Sequence, residues 1–369
     1  MKRFYLLLFG LLACSSTRAQ TLTIKNSGNL NYIEQVVEIP WQTVKEKFPP
    51  IDTGNFKVVN PATKEEVVYQ LEYKGSRDIR NLLVQVSVPS KSSVKLLIQK
   101  GKHKPFPAKT YCRYVPERKD DFAWENDKIA FRMYGKALQG TSEDAFGIDV
   151  WVKRTDRLVI NERYKLNNYH TDNGDGLDYY SVGNTLGAGN SAPFVKDSVW
   201  YSENYQTYNI LDNGPLRSTF TLFYDEWNVA GKKVNASKTI SLDAGSQLNK
   251  VEVTYTFQGN SLPVAIGIVK RKEQGVELFD RQKGIAGYWE PEHGKDGITA
   301  VGTIVPERVV KTLSTTIQLF TVVKTKTGKP LVYYAGAAWN KAGHFTMPEQ
   351  WFSYLKEYEE KLGAPLVVE

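Results

Sequence analysis

Residues 251–257 read Val-Glu-Val-Thr-Tyr-Thr-Phe, with Val251, Val253, Tyr255 and Phe257 apolar and Glu252, Thr254 and Thr256 polar between them. Side chains of an extended chain point alternately to opposite faces, so this period of two predicts a strand with one face in a core and the other in water. The same pattern recurs on both sides, in KIAFRMYG (128–135), FGIDVWVK (146–153), STFTLFY (218–224), TIQLFTVV (316–323) and PLVYYAGAAW (330–339). Upstream, Leu82, Val84, Val86 and Val88 alternate with Gln85 and Ser87, among further short runs from LTI (22–24) to VKLLIQ (94–99). The expected class is all-β, with an N-terminal β-sandwich over 20–100 and a large antiparallel assembly of stacked sheets over 101–369. The Pro- and Lys-rich GKHKPFPAK (101–109) marks the boundary. One helix is expected near the C-terminus, from a capping Thr346 with Glu349 three residues on, ending before Gly363 and burying Trp351, Leu355, Tyr358 and Leu362.

Forty-eight Lys and Arg stand against 40 Asp and Glu in 369 residues, an excess too small and too evenly spread for a nucleic-acid footprint. A hydrophobic share of 41% supports a large core and excludes disorder as the main state. Aromatic residues make up 12%, more than a core needs, and the surplus suits a groove that stacks on sugar rings. Met1-Lys2-Arg3 followed by FYLLLFGLLA reads as an export signal over 1–19. Leu11-Leu12-Ala13-Cys14 resembles a lipobox, whereas Thr17-Arg18-Ala19 suits conventional cleavage, so the expected location is the periplasm or the outer membrane as a lipoprotein. Beyond Cys14 the chain has one other cysteine, Cys112, which precludes an intrachain disulfide in the mature protein. No stable protein partner is expected.

Two segments concentrate chemistry. YCRYVPERKDDFAWE (111–125) carries Arg113, Arg118, Trp124 and Glu125; a guanidinium grips a carboxylate through two parallel hydrogen bonds while an aromatic ring stacks on the sugar. The bland reading is a solvated connection. NNYHTDNGDGLDYYSVGNTLGAGNSA (167–192) is too long and too rich in Gly and Asn for a simple turn, and loops of that kind are usually functional. It holds His170, Asp172, Asp175, Asp178, Tyr179 and Tyr180. His170 is the first choice for proton transfer, since imidazoles as a class titrate near neutrality, against a structural role in ordering the loop. DNGDGLD (172–178) raises a divalent metal as an expectation to test, although it lacks the twelve-residue calcium-loop pattern; no other cofactor is indicated. Arg217 at a strand start, Trp289 in YWE (288–290) and His344 ahead of the helix complete the candidates, with His103 and His293 read as surface residues.

At YCRYVPERKDDFAWENDKIAFRMYG, YHTDNGDGLDYYSVGNTLGAG and GHFTMPEQWFSYLKEY the chain resembles the exported domain-of-unknown-function family 4861 of polysaccharide-using bacteria. The resemblance implies a β-supersandwich like those of mutarotases and several polysaccharide lyases. It also implies an enzyme of a polysaccharide-utilisation locus, similar to an ulvan oligosaccharide dehydratase that acts on a terminal glucuronic acid. The implied substrate is a uronate-containing oligosaccharide. Such an elimination needs an arginine, Arg113 or Arg118, on the carboxylate, a base such as His170 or Tyr179, and an acid such as His344 or a second tyrosine. A lyase would use the same groups. A glycoside hydrolase would instead need two carboxylates, Glu125 with Asp175 or Glu290, and a binding protein only the aromatic face and the arginines.

Overall fold

A computed structural model describes residues 21–166 and 168–369. The export signal and Cys14 lie outside the described residues. Residues 21–100 supply a three-stranded sheet and three strands of a four-stranded sheet that together enclose a core, with Leu22, Ile24, Val58, Leu82, Val84 and Leu96 fully buried. A short helix, α1 (Trp41–Lys47), follows strand Tyr32–Pro40. Pro40 lacks a ladder N–H and, with its φ held at −53°, stands at the end of the strand as the N-cap of the helix. Residues 101–109 carry no regular structure. The C-terminal strand Val367–Val368 returns to pair with Thr21–Lys25, so the last residues of the chain belong to the first sheet.

The remainder is an antiparallel supersandwich. An eight-stranded sheet, ordered from Thr207–Asn213 at one edge to Val276–Asp280 at the other, is covered on one face by two five-stranded sheets. These two meet where Ile148 bridges Gly187. Between the layers lies one continuous core containing Trp124, Phe220, Val251, Tyr255, Leu319 and Tyr333. Val251, Val253, Tyr255 and Phe257 all face it, as their alternation requires.

On the other face of the large sheet lies a helix, Pro348–Gly363. A second helix, α2 (Ile160–Leu166), precedes the long loop, so the C-terminal one is α3. Its start differs from the expected capping box: Met347 is the N-cap, Pro348 fills the first turn, and Gln350 Oε1 reaches back to the Thr346 N–H at 2.7 Å. Trp351 and Leu355 are fully buried, with Tyr358 and Leu362 partly so. Leu355, with Phe352 beside it, presses onto Gly287 and Gly302, which pair across adjacent strands. A Cβ on Gly302 would stand 2.5 Å from a Leu355 methyl, which is why the sheet is bare there.

Candidate functional site

Strands Ala130–Met133 and Ile148–Lys153 are neighbours in one of the five-stranded sheets, and Arg132 stands opposite Asp149. Their alternate residues Phe131, Met133, Val150 and Val152 enter the main core, so Arg132, Asp149 and Trp151 face the other way, under α2 and the long loop. There Arg132 meets three carboxylates: Asp149 Oδ2 lies 3.0 Å from Nε, Asp178 Oδ2 3.2 Å from Nη2 and Asp121 Oδ2 3.5 Å from Nη1. Tyr134 donates to Asp149 Oδ2 at 2.9 Å, and the guanidinium lies over the Tyr134 ring. One cation cannot balance three buried anions. Burial, only partly opposed by Arg132, pushes the Asp121 carboxyl up to about 7 and Asp178 well above the carboxylate range. This cluster keeps protons at neutral pH.

The long loop closes over it. The Asp178 N–H donates to Tyr169 O at 2.7 Å and His170 Nδ1 lies 2.8 Å from Asp178 O, which ties the two arms of the loop together. Asp172 accepts from the N–H groups of Gly174 and Gly176 and pairs with Arg154, while Asp175 pairs with Arg163 and Arg157. The acidic residues of DNGDGLD therefore fasten the loop, and among the described residues no group of three His, Cys, Asp or Glu side chains is placed to hold a metal ion.

A cavity of about 350 Å³ opens above the cluster, lined by His170, Tyr134, Tyr179, Tyr180 and the edges of Arg132 and Asp178. His170 is two-thirds exposed into it. A second cavity of about 440 Å³ is lined by Arg271, Glu290 and His293. The Arg271 guanidinium covers the Tyr180 ring and its Nε stands 2.7 Å from Glu290 Oε1. Burial pushes the Glu290 carboxyl up to about 7 despite Arg271. Tyr179 stacks near His293, with ring centroids 5.4 Å apart, and accepts from Thr299 Oγ1 at 2.7 Å. Burial also raises the Tyr179 phenol, keeping it protonated.

Several expected residues lie elsewhere. Trp124 is fully buried in the main core, its indole N–H bonded to Asn249 Oδ1 at 2.7 Å, and has no face to offer a sugar. Glu125 is interior too: it pairs with Lys153 at 2.8 Å and accepts the N–H groups of Val159 and Ile160, capping the start of α2. Trp289 is buried beneath α3. Arg217 joins the two β units, pairing with Glu38 and Glu72 of the first and Asp243 of the second. Asp175 fastens the loop and does not line the cavity. Arg113 pairs with Glu117 and rests over Tyr164. Arg118 is closer to the site, donating to Tyr169 OH at 2.7 Å and pairing with Glu143 on the cavity rim. His344 is exposed in the turn before α3 and lines neither cavity. Burial pushes the Cys112 thiol up to about 12, far from a nucleophile.

Arg132, Tyr134 and Arg271 are the residues the sequence reading missed. Arg132 carried one signal, a charge at an alternate position of an otherwise apolar strand. His293 is exposed, as its sequence context suggested, and its ring lies beside that of Tyr179, 114 positions away in the chain, at the rim of the second cavity.

The family model described as Domain of unknown function (DUF4861) matches residues 24–368. The chain belongs to this family. A relative, the "Uncharacterized protein P7" of Formosa agariphila, is 29% identical over 388 residues, covering 98% of this chain and 96% of that protein. Among solved structures, a protein in the glycosyl hydrolase family 38 from Enterococcus faecalis aligns with a TM-score of 0.56 at 10% identity, over 95% of this chain and 47% of that one. An α-mannosidase from Enterococcus faecalis V583 aligns with a TM-score of 0.57 at 10% identity, over 95% and 45%. This chain thus spans less than half the length of those two proteins, and what it shares with them is the fold.

Proposed function

We propose that this exported protein is a carbohydrate-active carbon–oxygen lyase, a dehydratase that eliminates water from a non-reducing-end glucuronic acid of oligosaccharides such as ulvan fragments. The observation that carries the reading is that His170 and Tyr179 line one cavity, the first offering an imidazole nitrogen and the second a phenolic hydroxyl. A carbonyl oxygen can only accept, so the bond to Asp178 O puts the proton of neutral His170 on Nδ1 and leaves the Nε2 lone pair free. Tyr179 keeps its phenolic proton. In the proposed step His170 Nε2 takes the proton from the carbon bearing the carboxylate, and that C–H electron pair becomes the new C=C bond. The C–O bond on the adjacent carbon breaks as Tyr179 protonates the departing hydroxyl, which leaves as water. Proton return from His170 to Tyr179 through solvent resets the site. Arg118 is the guanidinium suited to the substrate carboxylate, because its partner Glu143 is exposed and such a pair is weak enough to exchange.

Glycoside hydrolysis is the second reading, favoured by Glu290, a carboxyl held protonated near neutrality at the edge of the second cavity. The similar folds of the family 38 protein and the α-mannosidase also support it. Incubation with a uronate-ended oligosaccharide separates the readings. New ultraviolet absorbance with loss of one water by mass and no new reducing end is dehydration; absorbance with chain cleavage is a sugar-expelling lyase. Reducing sugar without absorbance is hydrolysis, and retention without change is binding alone.

A further inference from the structure

A groove runs between the N-terminal sandwich, the large sheet and α3, and shares no lining residue with the two cavities beside Tyr179. It has two lobes of about 400 and 370 Å³ that merge at Gln35, Glu38, Tyr334, Tyr358 and Lys361. One end is closed by Tyr32 and Leu366, and the other reaches Arg217, Asp243 and Lys250. Tyr334, Tyr358 and Tyr354 stand in series along it, with successive ring centroids 5.3 and 6.0 Å apart and planes tilted by 59° and 54°. The groove is rigid, because Tyr32 donates to the α3 carbonyls of Lys361 at 3.1 Å and of Ala364, just past its end, at 2.8 Å.

We propose that this groove is a second, non-catalytic saccharide-binding site that holds the body of a polysaccharide chain away from the reacting end. Sugar rings present apolar C–H faces and a rim of hydroxyls. A row of tilted tyrosine faces matches the former, and the carboxylates, amide and ammonium groups at Glu38, Gln35 and Lys361 match the latter. Formal charge along the groove lining is balanced, with the carboxylates of Glu34, Glu38 and Asp243 set against the cations of Arg217, Lys250 and Lys361. Ring stacking with hydroxyl hydrogen bonds therefore dominates over attraction of a net charge.

The test is affinity electrophoresis of the full chain in gels containing ulvan, alginate or a neutral β-glucan, in a His170→Gln background so that the polymer is not consumed. Retardation by at least one polymer is expected. Tyr334→Ala or Lys361→Ala should weaken it about tenfold or more while leaving turnover of a short oligosaccharide unchanged in the otherwise wild-type chain, and Tyr334→Phe, which keeps the ring, should retain binding. Lys361 is a half-buried groove residue whose ammonium lies over the Tyr32 ring and which takes no part in the core under α3, so its variant folds even if Tyr334→Ala loosens the helix. Absence of retardation in all three gels, or retardation indifferent to both substitutions, overturns the proposal. Because it is read as binding, the result stands whichever reaction occurs at His170.

Discussion

His170 Nδ1 lies 2.8 Å from the backbone oxygen of Asp178, whose side chain lies 3.2 Å from Arg132. The imidazole is thus oriented through one residue by a buried guanidinium, and its outward nitrogen is left as an acceptor. A loop that would otherwise be free is held by a cluster built on two adjacent strands.

His170→Gln can keep a hydrogen bond to Asp178 O but cannot move a proton. Turnover of a uronate-ended oligosaccharide should fall about a hundredfold or more, with folding and binding preserved. Tyr179→Phe should give a loss of similar order, while His344→Gln should leave turnover near wild type. Steady-state kinetics on the three variants checks this, and a normal His170→Gln enzyme would remove His170 from the mechanism.

Arg132→Leu leaves Asp121, Asp149 and Asp178 without their shared cation. Removal of one partner from a buried ion cluster costs about 3–5 kcal/mol. Urea unfolding at neutral pH should show a loss of this size, and thermal melting a matching drop.

Stability should fall as the pH rises from about 4 to about 7. Asp121 moves from an ordinary value of 3.8 when unfolded to about 7 when folded, and Glu290 from 4.5 to about 7. In that window the folded chain binds more protons than the unfolded one, so the slope of unfolding free energy with pH is negative. These contributions are fully present below the unfolded values and lost as each group ionises in the fold. Melting temperatures across the window should show the decline, and Asp121→Asn, alone and then with Glu290→Gln, should progressively flatten it.

Glu125 tests the hydrolase assignment of that residue. Glu125→Gln leaves Lys153 buried without its anion and sets an amide against the Val159 or Ile160 N–H. The expected outcome is a stability loss of about 3 kcal/mol or more, measured by urea unfolding, with little change in kcat for the fraction that remains folded. A stable but inactive variant would reverse this.

Gly302→Ala drives a methyl into Leu355. Overpacking of this kind costs about 1–3 kcal/mol. Leu355→Ala on its own should also destabilise, and the double variant should be less damaged than the sum of the two, a coupling read from a four-member denaturation cycle.

Local order was legible in the residues alone. The alternation at 251–257 set a strand and its buried face, and Trp351, Leu355, Tyr358 and Leu362 set the inner face of α3, because side-chain direction along a strand or helix repeats with a fixed short period. The long Gly/Asp/Tyr loop was also legible, and it does bring His170 and Tyr179 to one cavity. Tertiary structure alone decided which charges face water and which face each other. Arg217 meets Glu38 across 179 positions, Trp124 meets Asn249 across 125 and Tyr179 meets Thr299 across 120. A charged or aromatic side chain looks the same in sequence whether it lines a site or is satisfied in the interior. Its fate depends on the partner the fold delivers, since a buried polar group persists only when paired, and no short-range pattern encodes a partner a hundred residues away.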